Sequence, residues 1–139
     1  MPRTVKAICE RFAEFVTSGD VGALADMHVF PCPFVVEGRM IVLPDRPSFM
    51  IASAIWTAQL AQQGVRRYSN EIMAQELPRG TQFRVWLRWL HHMADGSVQE
   101  AGTDVVYLAR QPDGRLLVEM VEIVNRSRDF VTMSAIAIG

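Results

Sequence analysis

The chain has 139 residues, half of them apolar and 21% charged, with a formal net charge of −1. A chain of this length commonly forms one domain and buries about two-thirds of its unfolded surface, so residues 1–139 are read as a single unit. Near-neutral charge without a basic stripe argues against nucleic acid or an anionic membrane surface as partner.

The first segment carries Val5, Ile8, Phe12, Phe15 and Val16 at the spacing of one helical face. Gly19 offers a left-handed stop and Asp20 a cap for a short second helix, Val21 to Met27. Pro31 and Pro33 end helical character, and two apolar runs, 34–37 and 40–43, read as a hairpin around Gly38. Asp45 caps a third helix with Pro47 in its first turn and Gly64 after its last. Phe49, Trp56 and Leu60 mark one face of that helix, while Met50, Ile51 and Ile55 predict cover on further sides.

From Arg66 the pattern becomes strands, at 66–77, 81–93, 97–110 and 115–126. Asp95-Gly96 and Pro112-Asp113-Gly114 are hairpin signals between them. Helices first and a meander afterwards predict an α+β fold with helices on one sheet face.

A two-residue turn at Asp95-Gly96 would set Leu87 opposite Asp104 and Val85 opposite Val106. A turn centred on Pro112 and Asp113 would set Val106 opposite Glu119 and Asp104 opposite Val121. One face then carries Phe83, Val85, Leu87, Trp89, His91, Asp104, Val106, Leu108, Leu117, Glu119, Val121 and Ile123. The other carries Arg84, Trp86, Arg88, Leu90, Thr103, Val105, Tyr107, Val118, Met120 and Glu122. A one-residue bulge would exchange faces along part of a strand.

Several features single out a family. Glu10-Arg11-Phe12, Ser18-Gly19-Asp20 closing the first helix, the long third helix and the closing hairpin from Tyr107 through Pro112-Asp113-Gly114-Arg115 are its cues. Over nearly the whole chain this order resembles the nuclear transport factor 2-like superfamily, particularly its SnoaL-like and ketosteroid-isomerase-like members. The resemblance implies a cone: a curved antiparallel sheet wrapped around three helices from the N-terminal half, enclosing an apolar pocket. It also implies homodimers joined through the outer sheet face. Enzymes, ligand binders and partner-binding modules all use this fold, so the fold leaves activity open.

The chemistry of ketosteroid isomerase does not carry over. Its oxyanion-hole tyrosine falls at Phe12, its base near Val36 with Glu37 one residue away, and its protonated aspartate at Val106. The resemblance places the Val106 face inward. The expected wall is then Phe12, Phe15, Val36 and Trp56 with Phe83, Val85, Leu87, Trp89 and Val106, around a small, largely apolar organic molecule. On that face Asp104 and Glu119 would be diagonal neighbours, with His91 farther along. Such groups can act as general acid or base in cofactor-free proton transfer, as in isomerases, dehydratases and cyclases of this fold. Asp104 is the first candidate, Glu119 the second and His91 the third. The rival expectation leaves both carboxylates solvated at the sheet rim, in a ligand carrier, a protein-interaction module or a support domain of a larger oxygenase.

The opposite face is rich in apolar groups and needs covering. A second copy of the chain is the expected cover, giving an isologous dimer; the alternative is the apolar tail, Met133 to Ile138, folded back. Adjacent strand residues such as His91 and His92 point apart, and with His28 the remaining histidine no metal site is expected. Cys9 and Cys32 read as reduced thiols. The segment MPRTVKAICERF has no apolar run of signal-peptide length and no stretch approaches membrane-spanning length, so the cytoplasm is the expected compartment.

Overall fold

Three caps fix where the helices begin. In the computed structural model, which describes residues 2–125, the Thr4 hydroxyl accepts from the Ala7 amide at 3.2 Å and opens helix α1, Val5–Ser18. Asp20 accepts from Ala23 at 3.1 Å and opens α2, Val21–Ala25. Asp45 accepts from Ser48 at 2.9 Å and opens α3, Arg46–Gln62. Each side chain satisfies an amide that the first helical turn would otherwise leave without a partner. Gly19, at φ 71°, closes α1 in the left-handed conformation that a Cβ disfavours.

The strands are β1 (Cys32–Val36), β2 (Arg39–Leu43), β3 (Val65–Gln75), β4 (Gln82–Met93), β5 (Val98–Arg110) and β6 (Leu116–Asn125). They form one curved, unclosed sheet in the order β2-β1-β6-β5-β4-β3. The fold is α+β as the pattern predicts, with one difference in the sheet. Strand β1 runs parallel to β6, Phe34 opposite Val121, while every other strand pair is antiparallel. The β1–β2 hairpin thus joins the sheet through β1 beside the last strand, leaving β2 at the edge. Helix α1 lies across β3, tied by Asn70 Nδ2 donating to the Cys9 carbonyl at 2.8 Å and the Tyr68 amide donating to Thr17 Oγ1 at 2.9 Å. The core fills the space between helices and sheet, with Ile8, Val85, Leu87, Leu108, Leu116 and Val118 fully enclosed.

The two long hairpins close with three-residue loops, not two. Met93 donates to the Ser97 carbonyl at 2.8 Å and Gln111 to the Arg115 carbonyl at 2.8 Å. Gly96 and Gly114, at φ 88° and 90°, supply the left-handed residue that such loops need. Strand β5 absorbs the first offset with a bulge at Ala101, so Leu87 still faces Asp104 and Val85 still faces Val106. Strand β6 has a bulge at Glu119, between the pairs Leu108–Val118 and Tyr107–Met120. Val106 therefore faces Val121 and Asp104 faces Ile123, not Glu119 and Val121 as the shorter turn requires. In the first half of β6 the faces exchange: Leu116 and Val118 are buried inward in place of Leu117 and Glu119.

The outer face carries Trp86, Leu90, Tyr107 and Met120, all half-buried, with the Arg84 guanidinium 5.1 Å from the Trp86 ring centre. The tail 133–138 and the predicted last residue of β6, Arg126, lie outside the described residues.

Candidate functional site

A cavity of about 90 Å³ lies between the helices and the concave sheet face. Helix α3 contributes Phe49, Ala52, Ser53 and Trp56, one stripe at helical spacing. The small pair between two large rings leaves a notch where bulkier side chains would close the core. Helix α1 adds Phe12 and Val16, four residues apart on one face, and α2 adds Leu24. The β1–β2 hairpin supplies Phe34, Ile41 and Leu43. The sheet floor is Trp89, Asp104, Val106, Val121 and Ile123, with His28 from the connection between α2 and β1.

Three polar side chains interrupt this apolar wall. Asp104 is 5% exposed, and its Oδ2 accepts from the Trp89 indole Nε1 at 2.8 Å. Ser53 is also buried. The His28 ring sits 4.4 Å from the Phe49 ring, centre to centre, with Phe12 and Phe30 at 6.1 and 6.3 Å. Burial pushes the His28 pKa down to about 4, partly offset by the hydrogen bond at 2.7 Å between its Nδ1 and the Leu24 carbonyl. Among the described residues no lysine or arginine lines the cavity. A group of aromatic rings bounds the Trp89 side: Tyr68 meets Trp56 edge-on at 5.6 Å and Trp89 at 5.2 Å.

The expected site residues separate into two sets. Phe12, Trp56, Trp89, Val106 and Asp104 meet at the cavity. Phe15, Val36, Phe83, Val85, Leu87, Glu119 and His91 are not among its lining residues. Val85 and Leu87 are sealed in the core, where α1 packs against the β3 half of the sheet and occupies the space a pocket would need. Phe15 turns off the Phe12–Val16 face and lines a separate groove with Arg11, Met27 and Leu117. Glu119 sits at the β6 bulge and accepts from Gln82 Nε2 at 3.0 Å, so the expected Asp104–Glu119 diagonal is not formed. The His91 ring lies 4.7 Å from that of Tyr68. His28 and Ser53 line the cavity without being among the expected residues. Ser53 has a signal, since it falls between Phe49 and Trp56 on the marked helical face. His28 has none, because it lies outside any periodic segment.

Other reactive groups read as structural. Burial pushes the Cys9 and Cys32 thiols up to about 12, away from a reactive thiolate. The Ser69 hydroxyl lies 2.7 Å from His92 Nε2, but Arg67 Nη2 lies 3.1 Å from Nδ1. A guanidinium only donates, so Nδ1 accepts, Nε2 carries the proton, and the serine oxygen accepts rather than being activated. Among the described residues no group of three or more His, Cys, Asp or Glu side chains could hold a metal ion. Among them, too, no helix is long and apolar enough to cross a membrane.

No protein-family model matches the chain, and no curated protein matches it in sequence. Solved structures do resemble it. An NTF-2 like protein of unknown function from Shewanella oneidensis superposes with a TM-score of 0.65 at 11% identity, over 87% of this chain and 96% of that one. ActVI-ORFA from Streptomyces coelicolor gives 0.67 at 12% identity, over 86% and 90%. Aln2 from another Streptomyces strain gives 0.66 at 20% identity, over 92% and 91%. The chain therefore has the nuclear transport factor 2-like fold. At such identities the likeness carries the fold and nothing finer.

Proposed function

We propose that the chain, as one domain over residues 1–139 and as a cytoplasmic homodimer, binds a small, largely apolar organic molecule in this cavity and moves a proton on it without a cofactor. The observation that carries this reading is Asp104, a buried carboxylate set in an apolar cavity wall and held by the Trp89 indole. Isomerases, dehydratases and cyclases of the SnoaL-like type, which the sequence resembles, lend the reading further support.

In the proposed step the Asp104 carboxylate takes a proton from a carbon next to a ligand carbonyl. The electron pair of the broken C–H bond moves into the carbonyl as an enolate, and the proton returns from Asp104 at the same or another carbon. Trp89 holds the carboxylate in orientation through its indole N–H. The surrounding rings exclude water from the enolate. A second reading, a non-catalytic ligand binder or protein-interaction module, is favoured by Phe12, which offers no hydroxyl to an oxyanion from the cavity wall.

Exchange of the carbon-bound protons of 2-indanone in deuterated water, followed by proton NMR, separates the two. The wild type should accelerate exchange, and Asp104→Asn should lose roughly 100-fold of that acceleration while remaining folded. Binding of the ketone without accelerated exchange would leave the binder as the better account.

A further inference from the structure

The position of the proton on His28 is fixed by its surroundings. Its Nδ1 lies 2.7 Å from the Leu24 carbonyl oxygen, which has no hydrogen to give. Nδ1 must therefore be the protonated nitrogen and Nε2, in the neutral ring, an acceptor. Rotation of the ring would break this bond and disturb its packing against Phe49. The low pKa keeps the ring neutral at ordinary pH. Among the described residues nothing else hydrogen-bonds to the imidazole, and its Nε2 is not sealed off from open space. The ring itself forms part of the cavity wall.

We propose that His28 is a specificity residue: its Nε2 accepts a hydrogen bond from a hydroxyl of the bound molecule, so the cavity selects a ring bearing an O–H over the same ring without one. The proposal rests on the reading of the cavity as a ligand site and names the ligand chemistry that site prefers. An apolar molecule that fills the cavity strips water from Nε2 and gives nothing back. A hydroxyl replaces the lost water, and its donor geometry is met by a ring that cannot turn away. Sites built with a fixed polar group reject analogues lacking the matching group more sharply than apolar pockets reject an extra methylene. A carboxylate ligand is disfavoured, because Nε2 has no proton to donate to it.

The test compares phenol with toluene, which has nearly the same shape, by calorimetric titration of the wild type and of His28→Phe. The imidazole ¹⁵N resonances of the wild type, followed in the same titrations, report on Nε2 without any substitution. We expect phenol to bind about five- to tenfold more tightly than toluene, the preference one neutral hydrogen bond supports. The Nε2 resonance should shift with phenol and stay in place with toluene, and His28→Phe should bind the two alike. Equal wild-type affinities with an unmoved Nε2 resonance would overturn the role of His28 and leave the ligand site standing. A phenol preference that survives in His28→Phe would likewise overturn it, assigning the hydroxyl to Asp104 or Ser53. Failure of both probes to bind would remove the ligand-site reading itself, and this proposal with it.

Discussion

The indole Nε1 of Trp89 donates to Oδ2 of Asp104 at 2.8 Å, and both side chains are buried. The two residues stand on adjacent strands, where Trp89 faces Gly102 and Asp104 faces Leu87. They are diagonal neighbours on one face, close enough for a long aromatic side chain to reach across. Gly102, opposite the tryptophan, carries no side chain to compete for that space.

This pairing predicts how Asp104 tolerates change. An amide oxygen can still accept from the indole, so Asp104→Asn should remain within about 1 kcal/mol of wild-type stability. Asp104→Ala strands a buried N–H and should lose about 1–3 kcal/mol. Urea unfolding of both variants measures the difference. Equal stability would mean that the hydrogen bond orients nothing of consequence.

His28 predicts a pH dependence with a definite sign. Its pKa falls from 6.5 in the unfolded chain to about 4 in the folded one, because burial penalises the charged ring. Between those values the unfolded state takes up the proton first, so stability drops as pH falls from 6.5 towards 4 and is unaffected by this residue above 6.5. Urea midpoints from pH 7 to pH 5 should decline less steeply in His28→Gln than in the wild type. Parallel slopes would show that the ring is not desolvated in the folded protein. Asp45, Glu76, Asp95 and Asp113, whose pKa values are lowered by hydrogen bonding, lose their contribution only at lower pH.

The notch beside Ser53 predicts that the cavity can be closed without dismantling the fold. Ser53→Leu would project a branched side chain between Phe49 and Trp56, at a cost of roughly 1–3 kcal/mol for added bulk in a packed region. Toluene binding should then fall by at least about tenfold, the loss expected when a filled pocket must reopen. Unchanged binding would place the ligand elsewhere.

The outer sheet face predicts a second copy of the chain. Trp86, Leu90, Tyr107 and Met120 form a half-buried apolar surface there that a partner would complete. Met120→Glu puts a charge into it, beside Tyr107. Sedimentation equilibrium should find the wild type dimeric and the variant monomeric with unchanged circular dichroism. A monomeric wild type would leave this surface for another partner.

Periodicity and caps made most of the architecture legible in the sequence. Asp20, Asp45, Gly19 and the spacing of Phe12 and Val16 announce the helices because each acts over one or two turns of chain. The pairing of Leu87 with Asp104 was legible because the Ala101 bulge cancels the extra loop residue at Asp95-Gly96. At Pro112-Asp113-Gly114 the bulge falls on Glu119 itself, and one residue of register moved that carboxylate out of the inward row. The parallel entry of β1 beside β6 depends on how distant segments pack, which no local pattern records. His28 stayed hidden for the same reason: the rings that make its place in the cavity, Phe12 and Phe49, lie far from it in sequence.

The most direct test is a high-resolution crystal structure of the protein purified from cells with no ligand added. Density for a ring-bearing molecule is expected in the notch between Phe49 and Trp56, with a polar atom within hydrogen-bond distance of Asp104. A cavity collapsed by its own aromatic side chains, with Asp104 enclosed by protein alone, would contradict it and leave a protein-interaction module as the better reading.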